Sequence, residues 1–140
     1  RTEDKNNVLT VIKLMEEKGI SKIIPTLVNR WFTDDFVKEY PEIIQQRLQQ
    51  VIDTDPNTFF NVFRIYANTE MKSWLHKISV PTLVLTGEND KGCNPRLNKF
   101  IANQLINSKL IILPHFKHSI LIEAPNLVSK NLINFFTKYH

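Results

Sequence analysis

The sequence predicts an α/β protein in which a helical segment precedes a strand–helix–strand–helix unit with two parallel strands. Before residue 79, apolar residues recur at helical spacing between short polar turns. After Pro81, two short and mostly apolar runs, Thr82–Thr86 and Lys109–Leu113, alternate with helical patterns. Apolar runs of this length are typical of parallel strands that are buried on both faces. We therefore predict a helical segment over residues 1–78 and an α/β segment over residues 79–140.

The helical segment contains five predicted helices. The first four cover about residues 5–18, 21–30, 34–40 and 41–52, and the fifth follows a polar turn at residues 53–57. Gly19 stands where the left-handed residue after a helix belongs, and Pro41 suits a first helical position. In the fifth helix, the spacing predicts that Phe59, Val62, Phe63 and Tyr66 lie on one side.

The α/β segment is too small to be a complete sheet. A helix from Pro95 to about Ile106 connects the two strands, and a last helix begins at Pro125 with Leu132 and Phe136 predicted to face the core. A two-stranded sheet is at best marginally stable, and parallel strands this apolar need neighbours on both sides. We expect either the missing N-terminal half of a parent protein or a second copy of the chain to complete the sheet.

Composition excludes several classes of protein. With 42% hydrophobic and 23% charged residues, the 140-residue chain has the composition of a soluble globular domain, and no apolar run is long enough to span a membrane. The net charge is +4, but the basic residues are scattered, so no nucleic-acid partner is predicted. The polar N-terminus lacks a signal-peptide core, and the single Cys93 fits a reducing compartment. These features predict a cytoplasmic protein without a membrane partner.

Two residues able to do proton chemistry follow the two predicted strands. Asp90 lies in the turn after the first strand, and His118 lies in the turn after the second. The carboxyl ends of neighbouring parallel strands meet at one edge of a sheet, where ligands bind in open α/β folds. A carboxylate that accepts a hydrogen bond from one imidazole nitrogen leaves the other nitrogen free to take a proton from a nucleophile. Asp90 and His118 are therefore predicted to be two members of a Ser–His–Asp triad.

No other residue completes the chemistry. The chain has no G-x-S-x-G sequence, Ser119 is not on a nucleophile elbow, and nothing marks Cys93 as an activated thiol. His115 and His118 are three residues apart without an evident third ligand, so no metal site is predicted, and no phosphate-binding loop or cofactor motif is present.

The segment from Pro81 to Phe136 resembles the C-terminal part of the α/β-hydrolase fold. That family has a P-x-L-V-L-x-G-x-x-D turn before a proline that opens a helix, and here Asp90 and Pro95 match it. The family histidine is followed by an I-E-x-P run, as His118 is followed by Ile122–Pro125. The resemblance implies that Asp90 is the triad acid and His118 the triad base, and that the serine and the oxyanion hole lie outside this chain.

The helical segment resembles the cap of 3-oxoadipate enol-lactonases, in the run Arg30–Thr33 and in the Asp53–Pro56 turn. In these enzymes a helical cap covers the active site, which implies that Trp31 walls the substrate pocket; core packing of Trp31 within the cap is the alternative. The resemblance implies a cofactor-free hydrolase for a small ester or lactone, with this chain inactive alone. Two alternatives remain: another chemistry of the same fold (carbon–carbon bond or epoxide hydrolysis, dehalogenation, halide peroxidation), or a binding or assembly module without catalysis.

Overall fold

The computed structural model describes residues 2–139 and the side chains of residues 5–139. Its helices are α1 Thr2–Lys18, α2 Ile20–Trp31, α3 Asp34–Glu39, α4 Pro41–Ile52, α5 Pro56–Asn68, α6 Pro95–Gln104, α7 Ile120–Glu123 and α8 Pro125–Tyr139, and its strands are β1 Thr82–Gly87 and β2 Ser108–Leu113. A single 3-10 turn, Leu75–Lys77, precedes β1. The predicted α/β class and element order are confirmed, and the short α7 is the element that the periodicity did not reveal.

Local sequence explains where the helices begin. Proline occupies the first turn of α4, α5 and α6, where its missing N–H costs nothing. The Asp55 carboxylate accepts the Thr58 N–H at 2.8 Å to cap α5, and the Asn94 side chain accepts the Leu97 N–H at 3.1 Å to cap α6. Gly19, between α1 and α2, has a φ of +89°, which is the left-handed conformation that the sequence predicted there.

The described chain divides into two compact units. The first contains residues up to 28 and residues 38–70, and the second contains residues 29–37 and residues 71 onward. The 29–37 segment therefore packs with the α/β part, although it precedes most of the helical part in sequence. That residues 1–78 act as a cap and residues 79–140 as part of a hydrolase core stays a prediction.

The first unit is built of helices around a small apolar core. Met15 and Ile24 are its most deeply buried side chains, and α1 packs against α5, where the Glu16 carboxylate pairs with Arg64. On the apolar side of α5, 60% of Val62 and 55% of Tyr66 are exposed. The periodic stripe of α5 is wider than the part of the helix that packs on α1 within this unit.

The second unit is a two-stranded parallel sheet with apolar clusters on both faces. β1 and β2 pair in register from Thr82 with Ser108 to Gly87 with Leu113. Because successive side chains alternate between faces, the cluster around Val84 and the cluster next to Leu85 lie on opposite sides of the sheet. α6 residues complete the first cluster, and α7 and α8 residues complete the second. The strands are thus packed on both faces, as their mostly apolar sequences predicted.

The predicted inward face of α8 is only partly correct. Val128 and Phe135 are buried, but 36% of Leu132 and 54% of Phe136 remain exposed. Within the described residues, no helix combines the length and the apolar character that a membrane crossing requires.

Candidate active site

The acid turn, residues 87–95, follows β1 and holds Asp90 by local contacts. Only 5% of Asp90 is exposed. Its Oδ1 accepts the backbone N–H groups of Gly92 at 2.7 Å and of Cys93 at 2.9 Å. A carboxylate that accepts two backbone N–H groups keeps its orientation when a neighbouring side chain is substituted. Asp90 is therefore oriented by its own turn.

Two buried polar side chains donate hydrogen bonds to the acid turn. The Thr86 hydroxyl donates to the Cys93 carbonyl at 2.9 Å, and the Asn98 amide donates to the same carbonyl at 2.6 Å. Thr86 belongs to β1 and Asn98 to α6. The turn is therefore bonded to both elements that flank it, and the strand end and the helix start have a fixed separation.

The histidine turn, residues 114–119, follows β2 and is bonded to the acid turn. The Glu88 N–H donates to the Leu113 carbonyl and the Asn89 N–H to the Phe116 carbonyl, both at 2.8 Å. The His115 N–H donates to the Glu88 carboxylate at 3.0 Å, and the Asn89 amide donates to the His115 carbonyl at 3.1 Å. These bonds hold His115 at a φ of 68°, which is unusual for a residue with a side chain.

Gly87 permits the two turns to approach each other closely. A Cβ at this position would lie 2.2 Å from the Lys117 carbonyl oxygen and 2.5 Å from the Phe116 carbonyl oxygen. Both obstacles are backbone atoms, so no side-chain rotation relieves the overlap. The absence of a side chain at Gly87 is thus a condition for the observed distance between the acid and the histidine.

The two turns bring Asp90 and His118 into direct contact. Asp90 Oδ2 lies 2.8 Å from His118 Nδ1. Burial raises the pKa of Asp90, but the hydrogen bond and charge of His118 and the two backbone donors outweigh it and hold that pKa below its usual value. An ionised carboxylate only accepts hydrogen bonds, so Nδ1 carries the proton and Nε2 is the basic nitrogen.

The pKa of His118 is raised, and the hydrogen bond to Asp90 is the main cause. Burial of the ring lowers this pKa, the negative charge of Asp90 raises it, and the positive charge of Arg30 lowers it. A raised imidazole pKa makes Nε2 a stronger base. The pair therefore has the geometry and the electrostatics to take a proton from a group presented to Nε2.

The 29–37 segment contacts the chain beside His118. The Ser119 N–H donates to the Trp31 carbonyl at 2.8 Å, and the Lys117 ammonium lies 2.8 Å from the Asp34 carboxylate. The Trp31 backbone thus lies next to the histidine turn, and its side chain is half-buried. That Trp31 walls a substrate pocket stays a prediction.

Asp90, Cys93 and His118 also offer donor types that suit a metal ion. Their ligand atoms all lie within 4.8 Å of one another. Neighbouring ligand atoms around zinc are separated by about 3.3 Å, as bonds of about 2.0 Å in a tetrahedron require. The 2.8 Å between Asp90 Oδ2 and His118 Nδ1 is shorter, so these two atoms are arranged as a hydrogen-bonded pair. Spacing in sequence did not indicate this trio, because the folding of two separate turns brings it together.

The structure brings together the two predicted proton-transfer residues, while their catalytic roles stay predictions. Sequence reasoning missed the contact between Thr33 and Glu123, whose carboxylate accepts the Thr33 N–H at 3.0 Å and the Thr33 hydroxyl at 2.6 Å. Glu123 belongs to the I-E-x-P run, but nothing in the sequence indicated that its partner lies 90 residues away.

Known proteins similar to this chain are hydrolases. 3-oxoadipate enol-lactonase 2 of Acinetobacter baylyi is 26% identical over 113 residues, which cover 81% of this chain and 42% of that protein. The enol-lactonase from Burkholderia xenovorans has a TM-score of 0.86 at 19% identity, over 92% of this chain and 49% of its own. The thermophilic esterase from Thermogutta terrifontis has a TM-score of 0.83 at 23% identity, over 100% of this chain and 52% of its own.

The chain spans about half the length of the proteins that it matches. No protein-family model matches it. The structural similarity extends over nearly all of this chain and shows the fold. The sequence similarity to the Acinetobacter lactonase extends over most of this chain. This chain is thus part of an α/β-hydrolase fold, with sequence similarity to 3-oxoadipate enol-lactonases.

Proposed function

We propose that this chain is the C-terminal part of an α/β hydrolase that cleaves a small ester or lactone through a Ser–His–Asp triad. The observation that carries the proposal is the 2.8 Å contact between Asp90 and His118 at the carboxyl ends of adjacent parallel strands. The names of the similar proteins, a lactonase and an esterase, support an ester bond as the target. The half-length match supports a nucleophile on a segment outside this chain.

In the proposed reaction, His118 Nε2 takes the proton of the serine hydroxyl as the serine attacks the substrate carbonyl. His118 then returns that proton to the leaving alkoxide, and a water molecule repeats the sequence to release the acid. Asp90 holds the Nδ1–H tautomer and stabilises the imidazolium that forms in each step. The chain alone supplies neither nucleophile nor oxyanion donors, so we expect it to be inactive by itself.

The proposed partner of the chain is the N-terminal half of the hydrolase core. β1 pairs with β2 on one side only among the described residues, so its other edge has backbone groups suited to a further strand. Apolar side chains near the strand ends and on the helices, such as Val80, Ile106 and Ile133, are more than 60% exposed. An exposed edge beside exposed apolar surface is what a removed half of a sheet would leave.

The first test of the proposal is to isolate the natural gene product and to measure its intact mass. We expect a chain of about twice this length with a G-x-S-x-G sequence upstream. A fluorophosphonate should label that serine, and the protein should hydrolyse p-nitrophenyl esters or small lactones. His118→Asn and Asp90→Asn should each lower kcat by roughly a thousandfold or more.

His115→Asn is the matched control, because it changes an exposed histidine in the same turn. It should leave hydrolysis within a factor of about two, since Asn tolerates the left-handed backbone at this position. Full hydrolysis by the His118→Asn variant would overturn the triad. A natural product without any upstream nucleophile would favour the assembly module, in which two copies pair their β1 edges and sediment as a dimer.

A further inference from the structure

The side chain of His118 is not fixed by burial. It is 48% exposed, whereas the side chain of Asp90 is only 4% exposed. A half-exposed ring has more than one accessible rotamer, and a single hydrogen bond to Asp90 selects among them. The direction of the imidazole therefore depends on where the backbone of residues 117–119 is held.

The 29–37 segment contacts the chain at the two residues that flank His118. The residue after His118 donates its N–H to the Trp31 carbonyl at 2.8 Å. The residue before it, Lys117, lies 2.8 Å from the Asp34 carboxylate, but 75% of the Asp34 side chain is exposed. Because one partner of this ion pair is largely exposed, the pair contributes little, and a stronger contact is needed to hold the segment in place.

Glu123 provides that contact. Its two carboxylate oxygens accept both the N–H and the hydroxyl of Thr33, at 3.0 and 2.6 Å, and both residues are half-buried. Hydrogen bonds to an ionised carboxylate are stronger than neutral ones. The Thr33 hydroxyl also accepts the Phe36 N–H at 3.3 Å, which fixes the hydroxyl at the start of α3.

Glu123 and His118 are joined by one helical turn. The Glu123 N–H donates to the Ser119 carbonyl at 3.0 Å, and the Ile122 N–H donates to the same carbonyl at 2.9 Å. The turn that carries the Glu123 carboxylate therefore begins directly after His118. A shift of the 29–37 segment relative to Glu123 is transmitted to the His118 backbone through Ser119, whose N–H is bonded to Trp31.

We propose that Glu123 and Thr33 are positioning residues for His118, and that their paired hydrogen bonds hold the 29–37 segment so that the imidazole points toward Asp90. The relevance of this positioning to catalysis rests on the proposed function. The positioning itself involves only residues of this chain and can be measured separately from hydrolysis.

The test is the NMR titration of His118 in the isolated natural gene product and in four variants of it. Apart from the substituted residues, two charged groups affect the pKa of His118: Asp90 raises it and Arg30 lowers it. If the contact positions the ring, Glu123→Ala and Thr33→Val should both weaken the Asp90 hydrogen bond and lower the His118 pKa. Glu123→Gln and Thr33→Ser, which keep polar groups able to bond, should leave it near the wild-type value.

This series separates positioning from the charge of the carboxylate. A pure charge effect would make Glu123→Gln equal to Glu123→Ala and would leave Thr33→Val unchanged, which would overturn the proposal. A wild-type pKa in both Glu123→Ala and Thr33→Val would also overturn it. If Glu123→Ala does not fold, Thr33→Val against Thr33→Ser still decides the question.

Glu17→Ala is the matched control for the loss of an acidic residue, because Glu17 is exposed on α1 in the first unit. It should leave the His118 titration unchanged. A longer natural product that fails to hydrolyse esters would refute the proposed function, while the NMR result would still decide the positioning role.

Discussion

The acid turn and the histidine turn hold their functional side chains in different ways. Asp90 is buried and oriented by backbone groups two and three residues further along the same turn. His118 is half-exposed and depends on residues that are distant in sequence, which are Asp90 itself and the 29–37 segment. Local sequence therefore determines the position of the acid, whereas the position of the base depends on the tertiary structure.

The largest expected effect comes from Gly87→Ala, which separates the two turns. The new methyl group would overlap backbone atoms of the histidine turn, so that turn must move while the acid turn keeps its internal hydrogen bonds. We expect a loss of about 3 kcal/mol in the free energy of unfolding, measured with urea. NMR should show His118 titrating closer to an ordinary histidine, because its bond to Asp90 is lost.

Gly92→Ala is the matched control within the acid turn. A Cβ there would lie 3.5 Å from Asp90 Oδ1, an ordinary van der Waals distance. Its cost should stay within about 0.5 kcal/mol. Equal losses in the free energy of unfolding for Gly87→Ala and Gly92→Ala would contradict the claim that the two turns approach most closely at Gly87.

The next effect is a pH dependence that comes from the bond between the two turns. The pKa of His118 is raised above its ordinary 6.5, so the stability that it contributes is fully present below that value and is lost as the pH rises through the raised pKa. The pKa of Asp90 is lowered below 3.8, so its contribution is present above that value and is lost as the pH falls through the lowered pKa. The free energy of unfolding should therefore decline as the pH rises above about 6.5 and through the raised pKa of His118.

Asp90→Asn tests the assignment of this slope. The variant keeps an oxygen for the Gly92 and Cys93 donors but removes the charge that faces His118. Urea unfolding at several pH values should show a shallower decline than in the wild type. An unchanged slope would mean that groups other than this pair cause it.

The smallest effect concerns the backbone of the histidine turn. His115 has a φ of 68°, and a residue with a Cβ is strained in that region. His115→Gly should raise the free energy of unfolding by less than about 1 kcal/mol, because relief of strain is offset by the larger entropy of glycine in the unfolded chain. His115→Ala keeps the Cβ and should bring no gain in the same urea experiment.

The sequence predicted the acid turn better than its surroundings. The unbroken apolar strand, Gly87, Asp90 and Pro95 are close together in sequence, so one short pattern describes the whole turn. His118 was identified from its place after the second predicted strand and then matched to the family pattern, and the recognition of a partial α/β-hydrolase fold is confirmed. Its contacts were not predictable, because Thr33 and Glu123 meet only when segments 90 residues apart fold together.

Helical periodicity predicted the helices but not all of their buried faces. Val62, Tyr66, Leu132 and Phe136 have the spacing of core residues and are nevertheless exposed in their units. Periodicity reports which side of a helix is apolar, but what covers that side depends on the neighbouring elements. The exposure is therefore consistent with the proposed missing half of the core.

The register of the two strands makes the Asp90–His118 bond an internal indicator of correct folding. Gly87 lies opposite Leu113, at the level where both turns begin. A slip of one residue would displace β2 by about 3.3 Å and would exchange the side chains on its two faces. The 2.8 Å bond could not survive either change. A refolded sample that has its full helix content but an ordinary His118 titration would thus contain a mispaired sheet.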